Sequence, residues 1–368
     1  MFERRKTRLI KVGGVKIGSG APISVQSMAK TDTRDIVATV RQIKKLEKAG
    51  CDIVRVAVKD AAAAKAIRAI KEKIRIPLVA DIHFHYNLAI EAINAGADKI
   101  RLNPGNIKKK EDIAQVIKLA RQKKIPIRIG INSGSLPDPR RSMASSALEY
   151  IKIFESMDFR DIIISLKSSD VAMMIGAYRD MAGICDYPFH LGVTAAGPAS
   201  CGIIKSSVGI GALLYEGIGD TIRVSLTGDP VEEVRAGIQI LRSLGLRKEG
   251  VEIISCPTCG RCEVDLVKVV KEFEGKVQKL SGYPSGLTSW SKRGPRGDCH
   301  HTMRLLKVAI MGCVVNGPGE AKDADIGIAA GKKSGMLFKK GKPIRKIAEK
   351  DFVKVLLNEM DKILNTNA

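Results

Sequence analysis

The chain has 368 residues, of which 45% are hydrophobic and 27% charged, and its formal net charge is +23 at pH 7. That length exceeds one ordinary domain unless the domain is a large α/β barrel. No apolar run is long enough to span a membrane, and the N-terminal residues lack the apolar stretch of a signal peptide, so we expect a cytoplasmic protein. In a reducing compartment the eight cysteines are expected to be ligands or free thiols rather than disulfides.

The basic excess is compatible with three kinds of partner: nucleic acid, an anionic small molecule or an acidic protein. Only 4% of the residues are aromatic, which disfavours a single-strand binder that stacks bases on aromatic side chains. The Lys and Arg residues are spread along the chain rather than gathered in a tail. Solvated helix faces therefore account for most of the excess.

Residues 20 to about 245 repeat one pattern, a short β-branched run followed by a turn and a longer helical run. Helices are expected at Ile36–Ala49, Ala61–Ile74 and Glu111–Lys123, and a small hairpin is expected over 12–20. Eight such units match a (β/α)8 TIM barrel, whereas an open doubly wound sheet would carry a glycine-rich first turn. The predicted strands are Pro22–Met28, Asp52–Val58, Pro77–Asp81, Lys99–Asn103, Pro126–Asn132, Asp161–Ser165, His190–Thr194 and Thr221–Leu226.

The strand–turn–helix repeat ends near residue 247 and a different sequence pattern follows. This change predicts a barrel domain over 1–247 and a smaller α+β domain over 248–368. In the smaller domain a helix is expected from about Glu263 to Leu280. Strands are expected at Lys307–Met311 and Ile326–Ala330, followed by a short hairpin and a closing helix over Asp351–Asn365.

The ends of the predicted barrel strands carry many cations and amides, and in a TIM barrel the chemistry lies at these ends. Few carboxylates accompany them, chiefly Asp81 and Asp170, and burying unpaired cations is costly. Arg and Asn side chains suit phosphate oxygens, so a phosphate-rich substrate is favoured over internal ion pairs. Asp81 with His83 is a candidate catalytic pair. The candidate substrate-binding residues are Arg55, Arg101, Asn103, Arg128, Asn132, Lys205 and Ser225, and Ser165, Lys167 and Arg223 lie at the same strand ends.

Cysteines cluster in the last third of the chain. Cys256, Cys259 and Cys262 lie within seven residues, and Cys313 is followed by a Gly/Pro-rich run that ends in Glu320. Soft thiolates at this spacing indicate a zinc or an iron–sulfur site.

The two kinds of metal site make different demands on the rest of the sequence. A zinc site would take a further ligand from Cys299, His300 or His301. A ferredoxin-type cluster would need a cysteine where Leu266 stands, so that pattern fails.

The segments 255–259 and 311–320 closely resemble the cluster motifs of the 4-hydroxy-3-methylbut-2-enyl diphosphate synthase family. The resemblance covers nearly the whole chain, through the strings at 25–33, 80–84, 129–136, 190–194 and 205–226. It implies a barrel followed by a small cluster domain. It also implies that electrons from reduced flavodoxin or ferredoxin drive the ring opening and dehydroxylation of 2-C-methyl-D-erythritol 2,4-cyclodiphosphate.

On the matching positions, the resemblance implies a 4Fe–4S cluster held by Cys256, Cys259, Cys313 and Glu320, with one iron open to the substrate. Glu320, Asp81 and His83 are then the catalytic candidates. The resemblance also implies a head-to-tail homodimer, in which the barrel of one chain faces the cluster of the other. The short connection over 247–250 favours the same arrangement, since four residues span at most roughly 14 Å.

The sequence departs from the family pattern in two places. The family has Glu beside the reacting oxygens at the position of Ala195. The stretch 281–301 is longer than usual, and Cys262 and Cys299 are additional thiols that we expect not to bind metal.

Two alternatives to this enzyme remain at the level of sequence. One is a pterin-binding barrel enzyme with a structural zinc, and the other is a zinc-containing RNA-binding protein suggested by the net charge. A brown chromophore would exclude the first, and a steep salt dependence of RNA affinity would favour the second.

Overall fold

The computed structural model describes residues 3–83, 85–103, 110–136, 142–281, 305–314, 319 and 321–366. The chain divides into two structural units, Met1–Arg247 and Lys248–Ala368. Within the described ranges, no helix combines the length and the apolar character needed to cross a membrane.

The first unit begins with an antiparallel hairpin, β1 (Ile10–Val12) and β2 (Val15–Ile17), as the sequence predicted. Eight parallel strands follow, and each is followed in turn by a helix. The strands are β3 (Ser24–Met28), β4 (Ile53–Val58), β5 (Leu78–Ile82), β6 (Lys99–Leu102), β7 (Ile127–Asn132), β8 (Ile162–Lys167), β9 (His190–Leu191) and β10 (Thr221–Ile222). The helices are α1 (Ile36–Lys48), α2 (Ala61–Lys71), α3 (Tyr86–Asn94), α4 (Lys110–Lys123), α5 (Met143–Ser156), α6 (Val171–Ala182), α7 (Ala199–Tyr215) and α8 (Pro230–Ser243).

The eight strands form a barrel. Their order in the sheet is β8–β7–β6–β5–β4–β3–β10–β9, and neighbouring strands are parallel. A parallel bridge between Ile164 and Phe189 joins the two ends of this order, since Phe189 directly precedes β9. The predicted TIM barrel is confirmed.

Alternation along the strands separates an outer apolar layer from the barrel interior. Val25 points outward and packs against Gly237 of α8, so Ser24 and Gln26 point inward. At the amino-terminal end Ile53, Val79 and Ile163 pack against the β1–β2 hairpin. Ser24, Gln26 and Lys99 add buried polar groups to this part of the interior, and the charged residues of the cavity described below lie beyond them, toward the carboxyl ends of the strands.

Aspartates start several of the helices that follow the strands. Asp35, Asp60 and Asp229 accept backbone hydrogen bonds at the N-termini of α1, α2 and α8. Asp170 does the same for α6, where its Oδ1 accepts from the amide of Met173 at 2.9 Å. Asp170, which the sequence suggested as a second carboxylate near the strand-end cations, is instead engaged as a helix cap and does not line the cavity described below.

The second unit is a five-stranded mixed sheet with helices on one face. Its elements are β11 (Gly250–Ser255), α9 (Leu266–Ser281), β12 (Leu305–Met311), β13 (Ile326–Gly331), β14 (Ser334–Lys339), β15 (Lys342–Ala348) and α10 (Phe352–Thr366). Strands β11 to β13 are parallel and β13 to β15 antiparallel. Phe273 of α9 and Phe352 of α10 pack into one core with Ile310 and Ile328. The sequence did not predict β11, in which Val251 alone is fully buried and the hydrophobic pattern is correspondingly weak.

Candidate active site

A cavity of about 240 Å³ lies inside the barrel, toward the carboxyl ends of its strands. Every one of the eight strands, or the segment just after it, contributes to the wall. This is where the barrel fold places its chemistry. The lining residues are Met28, Arg55, Asp81, His83, Arg101, Arg128, Asn132, Ser165, Lys167, Thr194, Arg223 and Ser225.

Most of the residues proposed from the sequence for substrate binding or catalysis meet in this cavity. Asn103 follows β6 and is buried, but it does not line the wall. Lys205 lies on α7, where it is exposed and outside the lining set. The proposed residues that do line the cavity are Arg55, Asp81, His83, Arg101, Arg128, Asn132 and Ser225.

Asp81 is the carboxylate on the wall, and three neighbours compete for it. Its Oδ1 lies 3.2 Å from Nη1 of Arg101, and its Oδ2 lies 3.3 Å from Nε2 of His83 and 3.7 Å from Nε of Arg55. Burial alone raises the pKa of Asp81, but Arg55, His83 and Arg101 outweigh burial and hold that pKa well below its usual range. Asp81 is therefore ionised at neutral pH.

A second carboxylate, Glu233 of α8, lies just outside the wall and was missed from the sequence. It is 1% exposed, and its oxygens accept from Oγ of Ser27 at 3.2 Å and from the amide of Leu226 at 3.1 Å. They also lie 3.1 Å from Nζ of Lys30 and 3.6 Å from Nη2 of Arg223. Glu233 therefore fixes both the Arg223 guanidinium and the segment after β10. An acidic residue in the first turn of a helix ordinarily complements the helix dipole, so no local sequence pattern distinguishes Glu233 as a residue of the site.

Positive charge nevertheless exceeds negative charge at the cavity. Burial, reinforced by neighbouring arginines, lowers the pKa values of Arg128 and Lys167 well below their usual range. Nε and Nη1 of Arg128 have no hydrogen-bond partner among the described residues. Burial also lowers the pKa of Arg223, to about 10, in spite of Glu233. Cations packed together without a matching carboxylate are costly, and an anion entering the cavity would relieve that cost.

Met28 and Thr194 complete the wall and were not proposed from the sequence. Sδ of Met28 lies 3.1 Å from Nε and 2.9 Å from Nη2 of Arg55, so the thioether supports that guanidinium. Directly after Thr194 comes Ala195, which is exposed and has a left-handed backbone with φ of 49°. Ala195 has a methyl group where the resemblance implies a carboxylate, so the segment next to Thr194 carries no acidic group at this position.

In the second unit, sheet pairing brings two of the proposed metal ligands together. Cys256 directly follows β11 and Cys313 comes two residues after β12, and these strands are parallel neighbours with Ser255 opposite Ile310. The amide of Gly312 donates to Sγ of Cys256 at 3.3 Å. Two thiols from distant parts of the sequence therefore share one edge of the sheet.

The other cysteines of this motif differ in their surroundings. Cys259 is exposed, and hydrogen bonds from the backbone and side chain of Arg261 lower its pKa, which favours the thiolate. Cys262 packs against Gly312, and its thiol donates to the carbonyl of Val264 at 3.2 Å. The Cys262 thiol therefore already has a hydrogen-bond partner within its own loop, and its expected role as a non-ligand stays a prediction.

The donor set at this edge suits an iron–sulfur cluster, because it offers several thiolates with backbone N–H groups directed at sulfur. Glu320 and Cys299 lie outside the described residues. In the part of the chain that the structure describes, no three His, Cys, Asp or Glu side chains already stand in positions to hold a metal ion.

Comparison with known proteins matches both units to one family. The family model described as the GcpE TIM-barrel domain matches residues 7–238, and the one described as the GcpE protein C-terminal domain matches residues 252–362.

Curated relatives match over almost their whole length. A protein of Caldanaerobacter subterraneus subsp. tengcongensis named 4-hydroxy-3-methylbut-2-en-1-yl diphosphate synthase (flavodoxin) is 52% identical, with 98% of each chain covered. A protein of the same name from Thermodesulfovibrio yellowstonii is also 52% identical, covering 98% of this chain and 100% of the relative.

Among solved structures, the dihydropteroate synthase of Yersinia pestis is similar with a TM-score of 0.48 and 11% identity, covering 64% of this chain and 98% of that one. A resemblance at this level carries no functional weight. The two matched domains and the full-length relatives establish that the chain belongs to the GcpE family of 4-hydroxy-3-methylbut-2-en-1-yl diphosphate synthases.

Proposed function

We propose that this chain reduces 2-C-methyl-D-erythritol 2,4-cyclodiphosphate to 4-hydroxy-3-methylbut-2-enyl diphosphate, a step of isoprenoid biosynthesis. The reaction consumes two electrons and a proton. The ring C–O bond to phosphate breaks, the neighbouring hydroxyl leaves as water, and a carbon–carbon double bond forms. The observation that carries the proposal is the cavity of buried cations, which lacks enough carboxylates to neutralise it and lies in a chain about half identical to synthases of that name. The chain is thus an oxidoreductase rather than a pterin-binding or RNA-binding protein.

The cavity is proposed to bind the diphosphate. Arg55, Arg101 and Arg128 supply guanidinium groups, which match phosphate oxygens in pairs. Asp81, held ionised by these arginines, fixes their positions and orients His83 beside the reacting carbons. Further polar contacts are proposed for Asn103, Asn132, Lys205 and Ser225, of which Asn132 and Ser225 line the wall.

Cys256, Cys259, Cys313 and Glu320 are proposed to hold a 4Fe–4S cluster. When bound, the cluster supplies single electrons and an iron site open to the substrate, because a carboxylate is a weaker ligand than a thiolate. The amide of Gly312 donates to Sγ of Cys256, and hydrogen bonds from Arg261 lower the pKa of Cys259 and favour its thiolate. A cytoplasmic location is also proposed, because a reducing compartment keeps cysteine thiols free to bind iron.

Flavodoxin is the proposed electron donor, as in the names of the relatives. A homodimer with composite sites is also proposed, on the family resemblance and on the short connection between the units. Mixing Arg101→Ala and Cys313→Ser proteins tests the dimer. Reassorted heterodimers should recover part of the activity, whereas a mixture that stays inactive after subunit exchange would show that each site belongs to one chain.

The proposed function is tested by purifying the protein without oxygen and measuring iron, sulfide and the visible spectrum, then adding the cyclic diphosphate with reduced flavodoxin. About four irons per chain, a broad visible absorption and release of 4-hydroxy-3-methylbut-2-enyl diphosphate are expected. Colourless protein that contains zinc and forms no product would contradict the proposal.

A further inference from the structure

One face of the sheet in the second unit is partly open, and it continues from the cysteine-bearing edge. The face is identified by Met311, Ala329 and Phe338, which belong to a cluster separate from the helix-covered core, and Cys256 packs against both clusters. Met336 pairs with Ala329 on one side and with Lys346 on the other, so both belong to this face.

The turn between β13 and β14 consists of Lys332 and Lys333 and lies close to Cys313 along this edge. Met311 pairs with Ala329 on the neighbouring parallel strand. Cys313 and Gly331 each come two residues after this pair, so they lie at the same level along the two strands. A β-carbon at Gly331 would lie 3.9 Å from Cγ1 of Val314, the residue after Cys313. The lysine turn is therefore adjacent to the residue that follows a proposed cluster ligand.

The surface around this turn combines exposed apolar groups with lysines. Val314 is 57% exposed and Met336 is 36% exposed. Lys332, Lys333 and Lys346 are exposed as well. Apolar contact area bordered by charge is the usual composition of a transient protein interface, and the charges set the association rate and the choice of partner.

Lysines on an edge strand also serve to prevent sheet-to-sheet association, and β15 is an edge strand. That explanation covers Lys346 but not the turn at 332–333, which joins two strands inside the sheet order. The backbone holds this turn in place, because the amide of Glu349 donates to the carbonyl of Lys333 at 3.2 Å. Protection of an edge strand therefore does not explain this pair of lysines beside the cysteine-bearing edge, and another function is expected of the pair.

We propose that Val314, Lys332, Lys333, Met336 and Lys346 form the docking surface for an acidic electron-carrier protein. The proposal rests on the proposed function, which requires that electrons arrive at the cysteine edge. It adds where on the second unit the electron carrier binds and which side chains recognise it. An acidic carrier bound here sits against the residue next to Cys313, and its carboxylates meet the lysine turn.

The opposite end of β14 supplies a matched control. Lys340 lies in the β14–β15 turn and Lys342 is the first residue of β15, and both are exposed like the first pair. Lys333 and Lys340 both have left-handed backbones, with φ of 57° and 47°, so charge reversal imposes similar local strain at the two turns. The variants Lys332→Glu/Lys333→Glu and Lys340→Glu/Lys342→Glu change the net charge equally.

The test measures the Kd of each cluster-containing protein for purified oxidised flavodoxin, at about 0.05 M and about 1 M salt, where the screening lengths differ several-fold. At low salt, reversal at 332–333 should weaken binding at least about 10-fold and reversal at 340–342 less than about 3-fold. At high salt the difference between the variants should vanish. Equal weakening by both variants, or by neither, would overturn the docking proposal.

Turnover with dithionite in place of flavodoxin separates this proposal from the proposed function. The 332–333 variant should keep wild-type turnover with dithionite and lose it selectively with flavodoxin. If the wild type turns over with dithionite but flavodoxin-driven turnover is the same in both variants, the docking surface is wrong and the proposed function stands. If the wild type makes no product with either donor, the proposed function fails, and the docking surface fails with it.

Discussion

The barrel cavity and the cysteine edge use a sheet in different ways. In the barrel, side chains project from the strands themselves, so the hydrogen-bonded ladder fixes Arg55, Asp81 and Arg101 before any ligand enters. In the second unit, the cysteines follow the ends of β11 and β12 and depend on loop backbone for their positions. The cavity is thus preorganised for an anion, whereas the edge offers thiols that a metal centre itself would draw together.

The largest effect is expected at the cysteine edge. Cys313→Ser should abolish the iron content and the visible absorption, because a neutral hydroxyl replaces a thiolate ligand. Cys262→Ser is the matched control and should keep most of both, since the Cys262 thiol is already donating to Val264. Loss of iron in the Cys262 variant together with its retention in the Cys313 variant would reverse the ligand assignment.

Arg128→Met should weaken binding of the cyclic diphosphate about 10- to 150-fold. This range follows from roughly 1.5–3 kcal/mol for a hydrogen bond to a charged group and 1.4 kcal/mol per decade. The free energy of unfolding of the ligand-free protein should not fall, because the variant removes a buried cation with unpaired nitrogens. Calorimetric titration and denaturant unfolding measure the two quantities. Unchanged affinity would show that Arg128 is a structural residue, and a large loss of stability would show that its charge is balanced in the free protein.

Glu233→Gln should weaken binding of the cyclic diphosphate about 10-fold, because Arg223 loses its anionic partner and becomes free to turn away from the cavity. Glu232→Gln is the control, since that neighbour pairs with Arg235 instead. The readout is the substrate Kd with flavodoxin absent, which separates positioning from electron supply. Equal effects of the two variants would assign Glu233 a role in stability alone.

The smallest expected effect is on the pH dependence of the free energy of unfolding, which tests whether Asp81 in the cavity stays ionised. The pKa of Asp81 is depressed in the folded state, so its stabilising contribution is complete above the unfolded value of about 3.9. It is lost as pH falls toward the lower folded value. In a His83→Gln background, which removes the imidazole next to Asp81, the difference in unfolding free energy caused by Asp81→Asn should therefore be constant from pH 8 to about pH 5 and shrink only below about pH 4. A difference that varies near neutral pH would mean that Asp81 is not held ionised.

The period of the hydrophobic pattern and the spacing of its turns sufficed to predict the barrel and its eight strands, because each strand is a short buried run followed by a helix. The charge excess at the strand ends pointed to the cavity, but the sequence alone left open which of these side chains face inward. The strand register is what places Arg55, Arg101 and Arg128 on the inner side. Glu233 escaped prediction because its role depends on α8 packing behind Arg223, which no local pattern encodes. Strand β11 escaped prediction because only one of its residues is buried. Asp170 was named as a possible site carboxylate because a helix cap and a site carboxylate look alike in sequence.

In the proposed function, an anionic substrate supplies the negative charge that the barrel cavity lacks. The most direct measurement compares unfolding of the wild type with the cyclic diphosphate and with uncharged 2-C-methylerythritol. At about 100 times its Kd, the cyclic diphosphate should raise the free energy of unfolding by about 2.7 kcal/mol, and 2-C-methylerythritol at the same concentration should leave it unchanged. Equal stabilisation by both compounds, or none by the cyclic diphosphate, would contradict the claim.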